Sequence, residues 1–387
     1  MKIAFVTPFA PSNEGVGGVV TALAIALSVN HQVTILSARG PRLVGTTVRQ
    51  RKVRTIGGPG LLFDLTFFLS STLMLWWSRR KGRQEFDIIH YHHHGYTLGA
   101  DVTTSHYCEQ EGVDQLRHQP KDRPRNPFFY RLIERGWAWL EKRVAGPRRS
   151  KPLIVLSERM KRDFMRHHHT PAGKIFVIHN GVDCTKYSPD NVALYREEIR
   201  RRHSLAQHDQ VVLLLGIDWV RKGIAQAVEA LSLLDALPVK LLIVGPDDPT
   251  PYQELVRSRG VEAQVIFAGP TGEPWKYYAA SDIFLLPTVY EAFGLVVLEA
   301  MATGLPTVVS REAGAAELIQ DGRNGLLINE PRDSAEIAAK LESLLKDSVL
   351  RRQLGEAACI TALQQTWDQV AHRTVEVYRR VLTNRSG

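Results

Sequence analysis

Short apolar runs alternate with helix-length segments along all 387 residues of this chain. This alternation is typical of parallel strands joined by crossover helices. The chain is too long for one ordinary hydrophobic core and suits two α/β domains of similar size, each a doubly wound sheet. The predicted strands are Lys2–Thr7, Gln32–Ser37, Phe86–Tyr91, Ala100–Ser105, Pro152–Leu156, Ile175–His179, Val211–Gly216, Lys240–Gly245, Gln264–Ala268, Ile283–Pro287, Pro306–Ser310 and Gly325–Ile328.

The boundary between the two domains is predicted near the turn Asn180–Asp183, because Asn-Gly breaks regular structure. The segment Asn191–Arg202 is predicted to be a connecting helix, and Asp368–Leu382 a final helix with no strand after it. The prediction is therefore a first domain at 1–180, a second at 181–366 and a C-terminal helix at 367–387.

Two segments raise the question of contact with a membrane. Leu61–Trp77 is strongly apolar, but it contains Asp64 and is short for a crossing. We expect a core helix there and keep an interfacial helix that touches lipid as the alternative. The segment Pro127–Arg149 mixes aromatic residues with cations, which suits either an anionic membrane surface or an inward-packed domain helix. No RNA or DNA motif accompanies these cations, so nucleic acid is not an expected partner.

Cysteine usage and net charge indicate the cellular compartment and the kinds of partner. Cys108, Cys184 and Cys359 are odd in number and widely spaced, which fits a reducing cytosol better than a disulfide framework. The formal net charge is +9, with much of the excess between Arg117 and Arg166, and such a protein attracts phosphate-rich ligands and anionic membranes. We expect a cytoplasmic protein with peripheral association at the inner face of the cytoplasmic membrane.

The most informative motif is the segment EAFGLVVLE from Glu291 to Glu299, which follows the predicted strand Ile283–Pro287. Open α/β sheets bind ligands at the carboxyl ends of their strands. A carboxylate accepts hydrogen bonds from neighbouring hydroxyls of a sugar or ribose, and Gly294 lets a ligand approach the backbone. A helix starting near Phe293 would offer free N–H groups. Two merely solvated glutamates are the alternative, which the apolar setting disfavours.

A second motif, GIDWVRKG, runs from Gly216 to Gly223 at the end of another predicted strand. A strand, a short loop, the cations Arg221 and Lys222 and a glycine that opens a helix make a good diphosphate clamp. Two ordinary surface cations are the simpler alternative. The position at the carboxyl end of a strand favours function.

Together, Arg221-Lys222-Gly223, the Glu-x7-Glu segment and the turn Asn180–Asp183 resemble the large retaining glycosyltransferase family 4. The resemblance covers nearly the whole chain. Within the family, the chain most resembles the lipopolysaccharide core glucosyltransferases, and its run Phe129–Arg135 is similar to theirs. It implies the GT-B fold, in which two Rossmann-like domains face a central cleft and the final helix crosses back to the first domain.

The resemblance also implies roles for individual residues. Arg221 and Lys222 would hold the donor diphosphate, Glu299 the ribose hydroxyls and Glu291 the transferred sugar. His106 would contact the reacting sugar or the acceptor, so Glu291, His106 and Lys222 are the catalytic candidates. The other implied donor-binding positions are Gly17, Gly18, Gly269, Phe293, Gly294, Leu295 and Val296. Many members of the family carry an arginine where this chain has Ile217, which leaves Arg221 to supply the second cation.

Two features of the first domain suggest a dinucleotide site and a metal site, but the sequence disfavours both. The glycines Gly15, Gly17 and Gly18 nearly match a dinucleotide fingerprint, but they do not follow the first strand directly and no carboxylate ends the second. His90, His92 and His94 would share one face of a strand. Because no carboxylate or cysteine is spaced with them, we expect histidines that line the cleft rather than a metal site.

The predicted function is transfer of a hexose from a nucleotide diphosphate sugar, UDP-glucose or a relative, to a hydroxyl of a glycan or lipid-linked acceptor. The setting would be lipopolysaccharide or other cell-envelope glycan synthesis, and the family implies retention of anomeric configuration. No Asp-x-Asp triplet occurs, so we expect neither a metal nor another cofactor. The alternatives are a nucleotide-sugar 2-epimerase on the same fold and an NAD(P)-dependent oxidoreductase.

Overall fold

The computed structural model describes residues 1–10, 15–57, 61–80, 85–92, 99–108, 110–111, 141–142, 145–147, 151–234 and 237–386. They form two compact units. The first contains Met1–Asn180 together with Trp367–Gly387, and the second contains Gly181–Thr366. His94 and residues 127–140 of the predicted basic aromatic helix lie outside the described set.

The secondary structure alternates as expected of α/β units. The strands are β1 Lys2–Val6, β2 Gln32–Ser37, β3 Arg49–Lys52, β4 Ile88–His92, β5 Val102–Thr104, β6 Leu153–Val155, β7 Ile175–Val177, β8 Gln210–Leu215, β9 Val239–Val244, β10 Val265–Gly269, β11 Ile283–Leu286, β12 Thr307–Ser310 and β13 Leu326–Ile328. The helices are α1 Gly15–Ser28, α2 Leu61–Arg80, α3 Glu158–His168, α4 Asn191–Arg202, α5 Trp219–Lys222, α6 Ile224–Leu231, α7 Thr250–Ser258, α8 Pro274–Ala280, α9 Leu295–Ala302, α10 Ser334–Lys346, α11 Ser348–Leu363 and α12 Trp367–Ser386.

The sheet of the first unit has seven strands in the order β3-β2-β1-β4-β5-β6-β7, and all its neighbouring strands pair in parallel. Successive side chains of a strand point to opposite faces. Ile3 and Phe5 therefore pack in one core layer with α1 and α12, whereas Ala4 and Val6 pack in the other with α2. The final helix is thus part of the first unit.

The sheet of the second unit has six parallel strands in the order β10-β9-β8-β11-β12-β13. This is the Rossmann order, in which the chain starts in the middle, builds outward, and then returns to build the other half. The strand order reverses between β8 and β11, and ligands of such sheets bind outside the carboxyl ends of the strands at this point. The loops after β8 and β11 are therefore the place to look for a site.

Helix α4, predicted to be a connection, is anchored inside the second unit. The guanidinium groups of Arg196 and Arg200 donate to the two carboxylate oxygens of Asp282, at 2.6 and 2.7 Å. Asp282 also accepts from the backbone N–H of Val211, at 2.8 Å. Because Asp282 precedes β11 and Val211 lies in β8, the helix is tied to the two strands that flank the switch point.

Strand β3 was not predicted from the sequence. Its residues, Arg49–Lys52, are all polar, and they pair in parallel with β2 at the edge of the sheet. An edge strand has one neighbour and a largely exposed surface, so it does not need the apolar run that identifies a buried strand.

Helix α2 corrects the expectation of a core helix in Leu61–Trp77. Phe63, Phe67 and Leu75 are at most 2% exposed and pack against the sheet, but the opposite face is open to solvent. The expectation holds for one face of the helix only. None of the helices in the described part of the chain combines the length and the apolar character that crossing a bilayer requires.

Candidate active site

The loop after β8 turns sharply into α5 and presents two cations. Asp218 has left-handed backbone angles, with φ at 61°, and its side chain caps α5 by accepting from the N–H of Arg221. The helix ends after one turn at Gly223, which also has a positive φ. A Cβ at Gly223 would lie 2.3 Å from the carbonyl oxygen of Pro287, so only glycine lets this turn pack against the end of β11.

The two cations converge on one carboxylate oxygen of Glu291. The Arg221 guanidinium donates to Glu291 Oε2 at 2.8 Å, and the Lys222 ammonium donates to the same oxygen at 3.0 Å. Arg221 also donates to Asp218 Oδ2 at 3.0 Å and to the carbonyl oxygen of Tyr290 at 2.8 Å. The residues that follow β8 and β11 in the sequence therefore meet at the switch point.

Lys222 reaches this position across a glycine. A Cβ at Gly216, which has φ +139°, would lie 2.3 Å from Lys222 Cε. The side chain of Lys222 is 5% exposed, and Glu291 is the one carboxylate that its ammonium contacts within the described part of the chain. A buried ammonium has three donors, and one carboxylate oxygen takes only one of them. The ammonium of Lys222 can therefore donate to further acceptors.

The cation pair fixes the ionisation of Glu291. Burial alone would raise its pKa, but Lys222 and then Arg221 outweigh it and lower the pKa from 4.5 to about 2. Burial alone would lower the pKa of Arg221, but the negative charges of Glu291 and Asp218 outweigh burial and raise it. At neutral pH, Glu291 is a carboxylate that positions two cations, and it is a poor proton acceptor.

The pKa of Glu291 predicts an acid-dependent loss of stability. A carboxylate whose folded pKa is depressed adds stability above about pH 4.5, and that stability is lost as the pH falls toward 2. Denaturant unfolding of the protein and of Glu291→Gln should show a free-energy difference that shrinks by about 2 kcal/mol between about pH 6 and pH 2.5. A difference that stays constant over this range would contradict the assigned ion pair.

Backbone hydrogen bonds hold the segment between Glu291 and α9. The N–H groups of Gly314 and Ala315 donate to the carbonyl oxygens of Glu291 and Phe293, at 3.0 and 2.7 Å. Gly294, with φ +92°, precedes α9 and offers no side-chain cap to its N–H groups. The first N–H groups of a helix lack partners within the helix, so the start of α9 at Leu295 and Val296 is suited to bind an anion or hydroxyl oxygen.

Of the other predicted residues in the second unit, Glu299 lies on α9 and accepts from the Tyr278 hydroxyl at 2.8 Å. Burial raises its pKa, and hydrogen bonds from Tyr278 and Tyr187 oppose the rise. Phe293 is 2% exposed, so its side chain belongs to the core. Gly269 ends β10 with φ +74°, and a Cβ there would meet no atom within 4 Å, which leaves open space beside the strand end.

The predicted residues of the first unit lie in two places, at the start of α1 and after β5. Gly17 and Gly18 lie in the first turn of α1, which begins at Gly15, and the Thr21 hydroxyl donates to the Gly17 carbonyl oxygen at 2.7 Å. His106 follows β5 and is 8% exposed, and its Nε2 lies 3.4 Å from His92 Nδ1. His106 is therefore coupled to a second imidazole.

His90 and His92, the two of the strand histidines that the structure describes, are buried, which corrects the expectation that they line a cleft. His90 and His92 are 0% exposed, with ring centroids 4.0 Å apart. His90 Nδ1 lies 2.6 Å from the Tyr378 hydroxyl of α12, and its Nε2 lies 2.7 Å from the Thr104 hydroxyl. Burial, and then the neighbouring charge of His106, lower the pKa of His90 to about 3, so the ring is neutral. Tyr378 of the C-terminal helix contacts the His90 ring, which the strand pattern alone does not reveal.

A buried trio in the first unit carries side chains of the kind that bind metals. Side-chain atoms of Cys108, Glu141 and His168 lie within 4.8 Å of one another. His168 Nε2 lies 2.9 Å from Glu141 Oε2, and burial lowers the pKa of His168 to about 4. A neutral imidazole that donates to a carboxylate accounts for this contact. No short motif in the sequence predicts this trio, because the three residues are far apart in the chain.

Two family models match the chain and together cover most of it. Residues 195–359 match the model described as "Glycosyl transferases group 1", and residues 13–186 match the one described as "Glycosyltransferase Family 4". The chain belongs to the GT-B glycosyltransferases of the family 4 type.

Similar sequences come from bacteria and archaea. The lipopolysaccharide glucosyltransferase WaaG of Escherichia coli (strain K12) is 30% identical over 236 residues, which are 60% of this chain and 63% of that protein. A D-inositol 3-phosphate glycosyltransferase of Corynebacterium glutamicum (strain R) is 31% identical over 243 residues, or 60% of this chain and 58% of that protein. The matches thus span less than two thirds of these glycosyltransferases.

Solved structures share the fold over nearly the whole chain. The crystal structure of WaaG, described as a glycosyltransferase involved in lipopolysaccharide biosynthesis, has a TM-score of 0.77 at 23% identity and covers 97% of this chain and 99% of its own. Anabaena Alr3699/HepE in complex with UDP and glucose has a TM-score of 0.70 at 20% identity and covers 97% and 98%. Both parallel sheets of this chain therefore belong to the GT-B fold.

Proposed function

We propose that this glycosyltransferase moves a hexose from a nucleotide diphosphate sugar to a hydroxyl of a glycan or lipid-linked acceptor. The observation that carries the proposal is the buried Lys222 ammonium beside the Arg221 guanidinium, both fixed on Glu291 at the switch point of the second sheet. Cations held in place before the reaction stabilise the negative charge that grows on a departing diphosphate.

The remaining contacts of the donor are assigned to other residues of the second unit. The start of α9, at Leu295 and Val296, offers N–H groups toward sugar or phosphate oxygens. Glu299 would accept from the ribose hydroxyls, with Tyr278 holding one carboxylate oxygen. The open space beside Gly269 suits the base.

The bond changes balance without a protein base. The bond between the anomeric carbon and the phosphate oxygen breaks, and its electron pair leaves with the nucleoside diphosphate. The acceptor oxygen bonds to the anomeric carbon, and its proton passes to an oxygen of the leaving phosphate. A same-face attack of this kind gives retention. Glu291, with its pKa of about 2, is held by two cations, which favours this route over a covalent intermediate on that carboxylate.

The nature of the substrates is proposed from the similar proteins. Structures of Alr3699/HepE contain UDP, UDP with glucose, or UDP-glucose, and WaaG is a lipopolysaccharide glucosyltransferase. UDP-glucose is accordingly the first donor to test, and a lipopolysaccharide-like glycan the first acceptor. No metal is proposed, because Arg221 and Lys222 supply the positive charge.

Thermal unfolding with a panel of nucleotides tests the proposal, with EDTA present throughout. UDP-, GDP- and ADP-sugars are compared with NAD and NADP. A ligand at 100 times its dissociation constant stabilises the folded protein by about 2.7 kcal/mol. We expect this stabilisation with one nucleotide sugar, and we expect Glu299→Ala to lose most of it. Glu356→Ala, an exposed glutamate of α11, is the control.

The alternatives give different results in the same panel. A shift with NADP and none with any nucleotide sugar would overturn the proposal and favour an oxidoreductase that uses the glycines of α1. A nucleotide sugar that is converted to its epimer in the absence of acceptor would identify a 2-epimerase instead.

A further inference from the structure

Two tyrosine hydroxyls hold the carboxylate of Glu299. The Tyr278 hydroxyl donates to Glu299 Oε2 at 2.8 Å, and the Tyr187 hydroxyl also donates to this carboxylate. Tyr278 lies on α8, whereas Tyr187 lies between the turn Asn180–Asp183 and α4. Tyr278 is 0% exposed and Tyr187 is 7% exposed. Two tyrosines that are far apart in the chain therefore meet on one partly buried carboxylate.

Both tyrosines are fixed in place by their surroundings. Their rings meet edge to face, with centroids 5.8 Å apart, and the N–H of Tyr187 donates to the carbonyl oxygen of Asp183 at 2.9 Å. The Val296 carbonyl oxygen lies 3.2 Å from the Tyr278 hydroxyl, but the oxygen of Glu299 is closer and charged, which makes it the stronger acceptor. Burial, and then the charge of Glu299, raise the pKa of Tyr278, so its hydroxyl remains a donor.

The two glutamates of the Glu-x7-Glu segment are held in opposite ways. Glu291 is bound by two cations, which neutralise its charge. Glu299 is bound by two neutral hydroxyls, and among the described residues the charges of Lys186 and Lys222 favour its ionised form without a salt bridge to it. A carboxylate has acceptor positions for about four hydrogen bonds, so two tyrosine donors leave about two. Two is also the number of hydroxyls that a ribose offers.

We propose that Tyr278 and Tyr187 are positioning residues that hold the charged carboxylate of Glu299 toward the ribose hydroxyls of the donor. This inference rests on the proposed function, because it takes a nucleotide as the ligand. Burial raises the pKa of Glu299, and the two hydrogen bonds oppose the rise. Without the tyrosine hydroxyls, Glu299 would bind a proton at a higher pH, and a protonated carboxyl group is a weaker acceptor than a carboxylate. The affinity for ribose would then depend on pH.

Infrared titration tests the effect on Glu299 without any nucleotide. The C=O stretch of a protonated carboxyl group is assigned to Glu299 by its absence from Glu299→Gln. We expect this band to persist to a pH at least about 1 unit higher in Tyr278→Phe than in the unaltered protein, and higher still in Tyr187→Phe/Tyr278→Phe. Phenylalanine keeps the aromatic ring and removes only the hydroxyl.

Tyr277→Phe is the matched control. Tyr277 lies on the same helix as Tyr278 and is 4% exposed, but its hydroxyl lies 3.3 Å from His203 Nε2. This variant also loses a buried phenol hydroxyl, and it should leave the Glu299 band where it is in the unaltered protein.

Titration calorimetry with two nucleotides tests the contact with ribose. 2′,3′-Dideoxy-UDP lacks both ribose hydroxyls, so its affinity does not report on their bonds to Glu299. We expect Tyr278→Phe to weaken UDP binding about three- to tenfold near neutral pH and to leave binding of the dideoxy nucleotide unchanged. Relative to the unaltered protein, the loss for UDP should grow as the pH falls, and Tyr277→Phe should show no such loss. In Glu299→Gln, adding Tyr278→Phe should have no further effect.

Two results would overturn the inference. The Glu299 band would titrate at the same pH in Tyr278→Phe and in the unaltered protein, or Tyr278→Phe would weaken UDP and 2′,3′-dideoxy-UDP equally, as a purely structural defect would. If neither UDP nor any other nucleotide bound the unaltered protein, the proposed function would fail, and the ribose would fail with it as the ligand of Glu299. The infrared result would still show whether the tyrosines keep Glu299 ionised, so the two failures can be told apart.

Discussion

Glu291→Ala is expected to lower turnover by a factor of about 10²–10³, because it removes the shared acceptor that fixes Arg221 and Lys222. Without Glu291, a buried ammonium loses the one carboxylate that the described residues provide for it, and the two neighbouring cations repel each other. The measurement is release of nucleoside diphosphate at saturating donor. A rate near that of the unaltered enzyme would refute the assignment of Glu291 to the site.

Two further variants show which property of Glu291 matters. Glu291→Gln keeps an oxygen acceptor at this position but has no charge, so a loss as large as that of the alanine variant would identify charge as the cause. Glu356→Ala removes an exposed carboxylate from α11 and should leave turnover unchanged. Because Glu291 has a depressed pKa and does not act as the base, the rate should show no acid limb near neutral pH.

Lys222→Met is expected to weaken UDP binding at least tenfold and to reduce turnover by about 10²–10³. Methionine keeps a flexible apolar stem in this buried position and removes only the charge. Titration calorimetry with UDP measures the affinity, and donor turnover gives the rate. Unchanged affinity and rate would mean that the diphosphate binds elsewhere.

A glycine offers an independent way to displace the same lysine. Gly216→Ala would place a Cβ 2.3 Å from Lys222 Cε, so the lysine must move and UDP binding should weaken although every charge is kept. Gly216 also has a positive φ, which adds strain, so the unfolding midpoint is measured alongside. Gly272→Ala, where a Cβ meets no atom within 4 Å, is the control and should bind UDP normally.

Much of this fold can be predicted from the sequence, because buried parallel strands are recognisable as apolar runs. All twelve predicted strands are present, with ends that differ by one or two residues in most cases. The polar edge strand β3 carries no such signal. Helix α2 is a different case, since residues of both its faces are apolar, and only the packing of Phe63 and Phe67 decides which face is inside.

The site could be predicted as a region but not as a geometry. Arg221 and Glu291 each follow a strand that flanks the switch point, so the sequence places them near each other. Their convergence on one oxygen depends on the left-handed turn at Asp218 and on the absence of a Cβ at Gly216, which no short motif reports. The Tyr278 hydroxyl on Glu299 joins residues 21 positions apart through the tertiary fold.

A crystal structure of the protein with UDP, grown with EDTA, tests the central claim most directly. The account predicts that the diphosphate lies at the carboxyl ends of β8 and β11, within hydrogen-bonding distance of the Arg221 guanidinium and the Lys222 ammonium, with the ribose hydroxyls on Glu299. A diphosphate bound away from these cations, or a ribose whose hydroxyls do not contact Glu299, would contradict it.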